Sequence, residues 1–266
     1  MTSMIEKYDK PVAFLDSGVG GISVLNEAIR MMPYENYIYF GDSKNAPYGI
    51  RTTEEVRQLT EKNVKFLIEQ GAKAVVIACN TATSAAAEYL RNKYKDFPII
   101  GVEPALKPAA LNHEGGKVLV MATPMTLAER KFQNLMKKYE EYATIIPVPC
   151  GGLMEFVEDG ILSGDPLENF LLQLLPPNLR NNTEAVVLGC THYPFIKEII
   201  AKVIGGNVAI YDGGMGTARQ LQRKLQREKL LRRIEEPGEV RMMNTLEKGE
   251  RLKLSETLLI SRPVNL

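Results

Sequence analysis

The sequence predicts an α/β fold of two similar domains, with mainly parallel sheets flanked by helices in a pseudo-symmetric arrangement. Three observations carry this expectation. Short β-branched runs alternate with helical patterns nearly from end to end, as strands and crossover helices do. Several runs are apolar at almost every position, the mark of strands covered on both faces. And the stretch AVVIACNTAT (74–83) returns as AVVLGCTHYP (185–194), each an apolar strand ending in cysteine and a small polar residue.

In chain order, VAFLD (12–16) opens the first half and leads into the glycine-rich DSGVGG. YIYFG (37–41) follows, then NAPYG (45–49), a turn by its proline and glycine. AVVIA (74–78) leads to Cys79, and PIIGV (98–102) comes next. In the second half KVLVM (117–121) runs into ATPMT, TIIPV (144–148) leads towards Cys150, AVVLG (185–189) meets Cys190, and VAIYD (208–212) is the last expected strand. Among the helical segments, 165–175 carries Leu167, Leu171 and Leu174 at helical spacing behind Asp165 and Pro166, read as an N-terminal cap. The echo amounts to an internal repeat of about 110 residues, consistent with two similar domains facing each other. The expected division is 1–98 plus about 209–266 for the first domain and 99–208 for the second.

Bulk composition excludes several classes. The 266 residues carry 33 basic and 32 acidic side chains, a net charge of +1, so nothing attracts nucleic acid or membrane in bulk. No apolar run approaches the roughly 18–20 residues that span a bilayer, and MTSMIEKYDK lacks the apolar centre of a secretory signal. Three cysteines make no disulfide framework; reduced thiols in a cytoplasmic setting are expected. RQLQRKLQREKLLRR (219–233) reads as a solvated helix face rather than a nucleic-acid site.

Ligands of open α/β sheets bind outside the carboxyl ends of the strands. Cys79 and Cys190 both fall there, each just before an expected helix start, where free N–H groups favour an anion or a thiolate. Cys150 has no echo and reads as a small buried hydrophobe. The short Cys-x-x-Cys spacing of a redox couple is absent. With only His113 and His192 available, metal ligands are too few. Nucleophilic catalysis needs one thiol, not a symmetric pair. Stereoinversion does need two equivalent groups, one removing a proton and the other delivering one to the opposite face of the carbon.

DSGVGG has a rival reading as a dinucleotide loop, with Asp42 near the usual acidic position, but Ser23 stands where the pattern needs glycine. The loop better suits N–H groups and the Ser17 hydroxyl holding a carboxylate, with Asp16 available for an ammonium. Tyr48 and Gly49 are candidates to cover a ligand, and His192 is a candidate proton partner or ammonium neighbour. Glu158 reads as a solvated helix residue. A flavodoxin-like nucleotide-binding protein remains the rival of a different class.

Taken together, DSGVGG, GDSKNAPYG, ACNTAT, ATPMT and LGCTHYP resemble the glutamate racemases of the aspartate/glutamate racemase superfamily, from about residue 11 to at least residue 212. The resemblance implies cofactor-independent interconversion of L- and D-glutamate, without pyridoxal phosphate or metal, supplying D-glutamate for peptidoglycan. It also implies two α/β domains with the active site between them, usually in a homodimer. Cys79 then resembles the base acting on D-glutamate and Cys190 the base acting on L-glutamate. Asp16, Ser17, Tyr48, Gly49, Asn80, Thr81, Thr123, Thr191 and His192 match substrate-contacting positions; Asp16, Glu158 and His192 match polar residues that assist the thiols. CGGLMEFVEDG departs from the more usual CPxxVPxVE form. An aspartate-type racemase of the same superfamily is the alternative, although His192 after GCT favours the glutamate type.

Overall fold

The computed structural model describes residues 7–205, 207–246 and 249–260. Residues 1–6, part of the N-terminal reading, and 261–266, part of the expected first domain, lie outside the described residues.

The described strands are β1 (Val12–Asp16), β2 (Tyr37–Gly41), β3 (Ala74–Ile77), β4 (Ile99–Gly101), β5 (Lys117–Ala122), β6 (Thr144–Pro149), β7 (Thr183–Leu188), β8 (Ala209–Asp212) and β9 (Val240–Asn244). They form two sheets, ordered β4-β3-β1-β2-β9 and β6-β5-β7-β8, and every pairing is parallel. All the expected strands form, with ends moved by no more than 2 residues. Two sheet memberships differ from the expected division: β4 adds to the first sheet beside β3, and β8 adds to the second beside β7. The unforeseen strand is β9. Its sequence VRMMN has no β-branched run, and it becomes a strand by pairing with the preformed edge of β2.

Side chains alternate across β1 as the pleat requires. Val12 and Phe14 join a core cluster that extends through Leu119, Met121 and Val186 of the second sheet, whereas Ala13 and Leu15 join a separate cluster with Ile77 and Leu90. One continuous apolar core therefore links the two sheets. Helix Thr53–Glu69 begins with a complete capping box, Thr52 and Glu55 each satisfying the other's backbone N–H. Helix Asp165–Leu174 buries Leu167 and Leu171, but its N-cap is Gly164, so Asp165 and Pro166 fall within its first turn rather than forming the cap. In the basic segment, helix Gly214–Arg227 packs on helix Ile22–Met31, burying Ala218, Leu221 and Leu225 and leaving Arg219, Arg223 and Arg227 exposed. Among the described residues no helix is long and apolar enough to cross a membrane.

Candidate active site

The glycines of DSGVGG are explained by what lies over them. A Cβ on Gly18 would stand 1.8 Å from Glu158 Oε1, and one on Gly20 would stand 2.4 Å from His192 Nδ1. Both side chains come from segments that follow strands of the second sheet, Glu158 after β6 and His192 after β7. The missing side chains let the two halves touch, and the Val19 N–H donates to Glu158 Oε1 at 2.7 Å. A carboxylate of the protein thus occupies the loop that a dinucleotide would need. Ser23, where the dinucleotide pattern wants glycine, instead donates its hydroxyl to the Thr191 carbonyl at 2.8 Å.

Cys79 ends β3 and is the N-cap of helix Asn80–Lys93. Its Sγ accepts from the Ala82 N–H at 3.5 Å and lies 3.6 Å from Ser17 Oγ. Burial pushes this thiol up to about 12; the Asp16 charge adds to that, and the two hydrogen bonds oppose it. Alanines 82, 85, 86 and 87 are buried on the same helix, so it packs closely against the first sheet.

Cys190 follows β7 in a different setting. The expected helix start is absent: a short 3-10 turn, Tyr193–Ile196, intervenes before helix Lys197–Ile204. Instead Cys190 Sγ is 3.5 Å from His192 Nδ1, and His192 Nε2 is 2.8 Å from Glu158 Oε1. Burial works against the imidazolium, but hydrogen bonds with Cys190 and Glu158 outweigh it and hold His192 well above its ordinary value. Burial likewise opposes the Glu158 charge, yet His192, the Val19 N–H and Arg251 hold this carboxyl below its ordinary range. Glu158 is therefore not a solvated helix residue; it is 6% exposed and backs the histidine.

A small cleft between the sheets is lined by Ser17, Tyr48, Gly49, Cys79, Asn80, Thr81, Thr123, Cys190, Thr191 and His192, together with Met154 and Gly189. Asp16 and Glu158 are the sequence-selected residues that stand behind it. Asp16 is buried behind the lining, and its carboxylate accepts from the Gly18 N–H at 2.9 Å and the Thr191 hydroxyl at 3.0 Å. Burial raises its pKa, with His192 and these two hydrogen bonds offsetting part of the effect. Met154 and Gly189 were not selected from sequence. Gly189 adjoins Cys190 within the repeat, which is a signal; Met154 has none in a single sequence.

The walls of the cleft are pinned from behind. Tyr48 donates to Asp42 Oδ2 at 2.6 Å, and Asn63 Nδ2 donates to the same oxygen at 3.0 Å, so Asp42 holds a tyrosine rather than a ribose. Thr81, Thr123 and Thr126 hydroxyls lie within 2.9 to 3.1 Å of one another, joining the halves on another wall. Asn80 Oδ1 is buried with no hydrogen-bond partner among the described residues, an acceptor suited to a ligand N–H. A larger cleft of about 820 Å³ runs along β4, β8 and helix Gly214–Arg227, but it contains neither thiol nor any other sequence-selected site residue. Converging acid/base groups, not volume, mark the smaller cleft as the chemical site.

A doubled parallel-sheet fold with a thiol at each of two echoing strand ends defines a class, and residues 17–221 match the Asp/Glu/Hydantoin racemase family. The chain belongs to that family. It is 52% identical to the glutamate racemase of Clostridium botulinum, over 97% of this chain and 100% of that one, and 55% identical to that of Clostridium novyi, over 94% and 96%. A crystal structure of glutamate racemase from Francisella tularensis in complex with D-glutamate superposes with a TM-score of 0.79 at 29% identity, covering 95% of this chain and 94% of that one.

Proposed function

We propose that this chain interconverts L- and D-glutamate by a two-base mechanism that needs neither pyridoxal phosphate nor metal. The observation that carries the reading is that Cys79 and Cys190, unbonded to each other, line one cleft between the two sheets. One sulfur, as thiolate, takes the proton from Cα, and the C–H electron pair is left on the carbon beside the substrate carboxylate. The other thiol delivers its own proton to the opposite face. The enzyme ends with the two sulfurs' protonation exchanged. Backbone N–H groups and hydroxyls around the carboxylate lower the barrier by stabilising the charge that develops there, and Asn80 Oδ1 is positioned to accept from the ammonium. His192 gives the Cys190 proton a place to go, and Glu158 stabilises the imidazolium that results.

Glutamate is preferred to aspartate in this reading because the relatives named above are glutamate racemases and one was crystallised with D-glutamate. We take the division into two domains as following the two sheets, with the protein working as a cytoplasmic homodimer that supplies D-glutamate for peptidoglycan. Incubation with L-glutamate in heavy water tests the central claim. Ellipticity should decay to zero while deuterium enters Cα, without added cofactor. Retained ellipticity with glutamate alongside rapid decay with aspartate would replace the substrate assignment.

A further inference from the structure

Glu158 divides its two oxygens between two tasks. Oε1 accepts from Val19 N–H and pairs with His192, while Oε2 faces Arg251 Nη1 at 3.5 Å. Arg251 lies on the C-terminal helix Gly249–Ile260, and its Nη2 also reaches Asp159 Oδ1 at 3.4 Å. That helix is seated on the first half of the molecule: Leu258 is fully buried in the core, and its carbonyl accepts from Asn26 Nδ2 at 3.2 Å. Ser255 Oγ donates to the Arg251 carbonyl at 2.8 Å. An arginine anchored through the first half thus reaches the carboxylate that backs Cys190.

We infer that Arg251 is a positioning residue for Cys190, acting through Glu158 and His192, and that docking of the C-terminal helix is thereby coupled to proton handling at one thiol. The inference rests on the two-base reading above for its consequence in turnover, but not for the electrostatic link itself. The charged and titratable groups facing Glu158 are His192, Arg251, the adjacent Asp159 and, across the cleft floor, Asp16; Tyr39 feels the Glu158 charge from β2. Those acting on His192 are Cys190, Glu158 and Asp16. Of these, Arg251 is the cation that does not belong to the cleft. Without it, Glu158 loses a cation that favours its charged form while remaining ionised where His192 titrates, and with Asp16 and Asp159 still negative the imidazolium loses a nearby positive charge.

Arg251→Met and Arg251→Lys test this. The sequence has only two histidines, His113 and His192, so imidazole NMR titration reports the relevant ring directly, with His113→Gln assigning the other. Arg251→Met should raise the His192 pKa by about half a unit to one unit, allowing for the partial exposure of the arginine. The acidic limb of kcat/KM should move upward with it, giving a loss of about 3- to 10-fold at the low-pH end. Arg251→Lys should restore both. An unchanged His192 titration in Arg251→Met, or a lysine variant displaced as far as the methionine one, would overturn the inference. If methionine at 251 prevents folding, Arg251→Gln carries the same test with a polar side chain. The NMR readout needs no substrate, so failure to racemise glutamate would sink the functional reading alone.

Discussion

At the end of β3, Cys79 caps a helix and touches an N–H and a hydroxyl; at the end of β7, Cys190 meets a histidine backed by a carboxylate. The strands are echoes, but the proton environments are not. Cys79 is pushed up by burial, which favours the thiol at neutral pH. Cys190 has an internal acceptor, His192, directly beside it, in a network of three hydrogen bonds that also clamps the glycine loop of the other half. Duplication therefore supplied the geometry of two opposed thiols, and divergence around each supplied different means of handling the proton. Enantiomers in water have equal free energy, so kcat/KM must be the same in both directions, whereas the two kcat values are free to differ. The unequal surroundings lead us to expect that they do.

The sharpest way to break the comparison is to remove each sulfur in turn. Cys79→Ser and Cys190→Ser should each reduce racemisation by on the order of 10²–10⁴-fold in both directions, since a serine hydroxyl is too weak an acid to serve as base. Polarimetry or circular dichroism with each enantiomer measures this, and a variant retaining a tenth of the activity would refute the two-thiol assignment.

The buried His192–Glu158 pair should show in stability as well. Glu158→Gln leaves the histidine without its counter-ion, at a cost of about 3 kcal/mol. The sign follows from the shifts: the Glu158 pKa is lowered, so its contribution is present above its ordinary value of 4.5 and fades as pH falls through the lowered one. The His192 pKa is raised, so its contribution is complete below its ordinary 6.5 and fades as pH rises through the raised one. Urea unfolding of the parent and the variant should thus differ most between these two limits. A difference independent of pH would show that the pair acts by packing alone.

Gly20→Ala probes the clamp between the halves. Its new methyl must displace the His192 ring, 2.4 Å away, at about 1–3 kcal/mol, and activity should fall with it. Gly216→Ala, in helix Gly214–Arg227 with open space around its Cβ position, is the control that should be neutral or slightly stabilising. The smallest effect belongs to the third cysteine. Cys150 is buried and bonds the Val148 carbonyl at 3.2 Å, outside the cleft lining, so Cys150→Ser should leave turnover within about twofold and cost about 1 kcal/mol of stability, read from thermal unfolding.

What the sequence determined by itself is whatever is local and periodic. Strands apolar on both faces, such as AVVIA and AVVLG, could only be central strands of covered parallel sheets, and the echoing cysteines fell at their ends because a repeat carries position with it. The resemblance of DSGVGG, NAPYG, CNTAT and CTHYP then gathered most of the residues that line the cleft. Tertiary structure decided what depends on approach between distant segments. VRMMN became β9 only because β2 offered it an edge. Asp16, legible only by its place at the end of VAFLD, is tied to the Gly18 N–H and to Thr191 from the other half. Glu158, legible only as a helix residue, is buried beneath the glycine loop, 139 positions from the Val19 N–H it accepts from. Arg251 reaches it from a helix with no motif at all. Pattern reveals which face a residue presents, but the charge state of a buried group is set by every dipole and ion that folding brings within a few ångströms, and those come from anywhere in the chain.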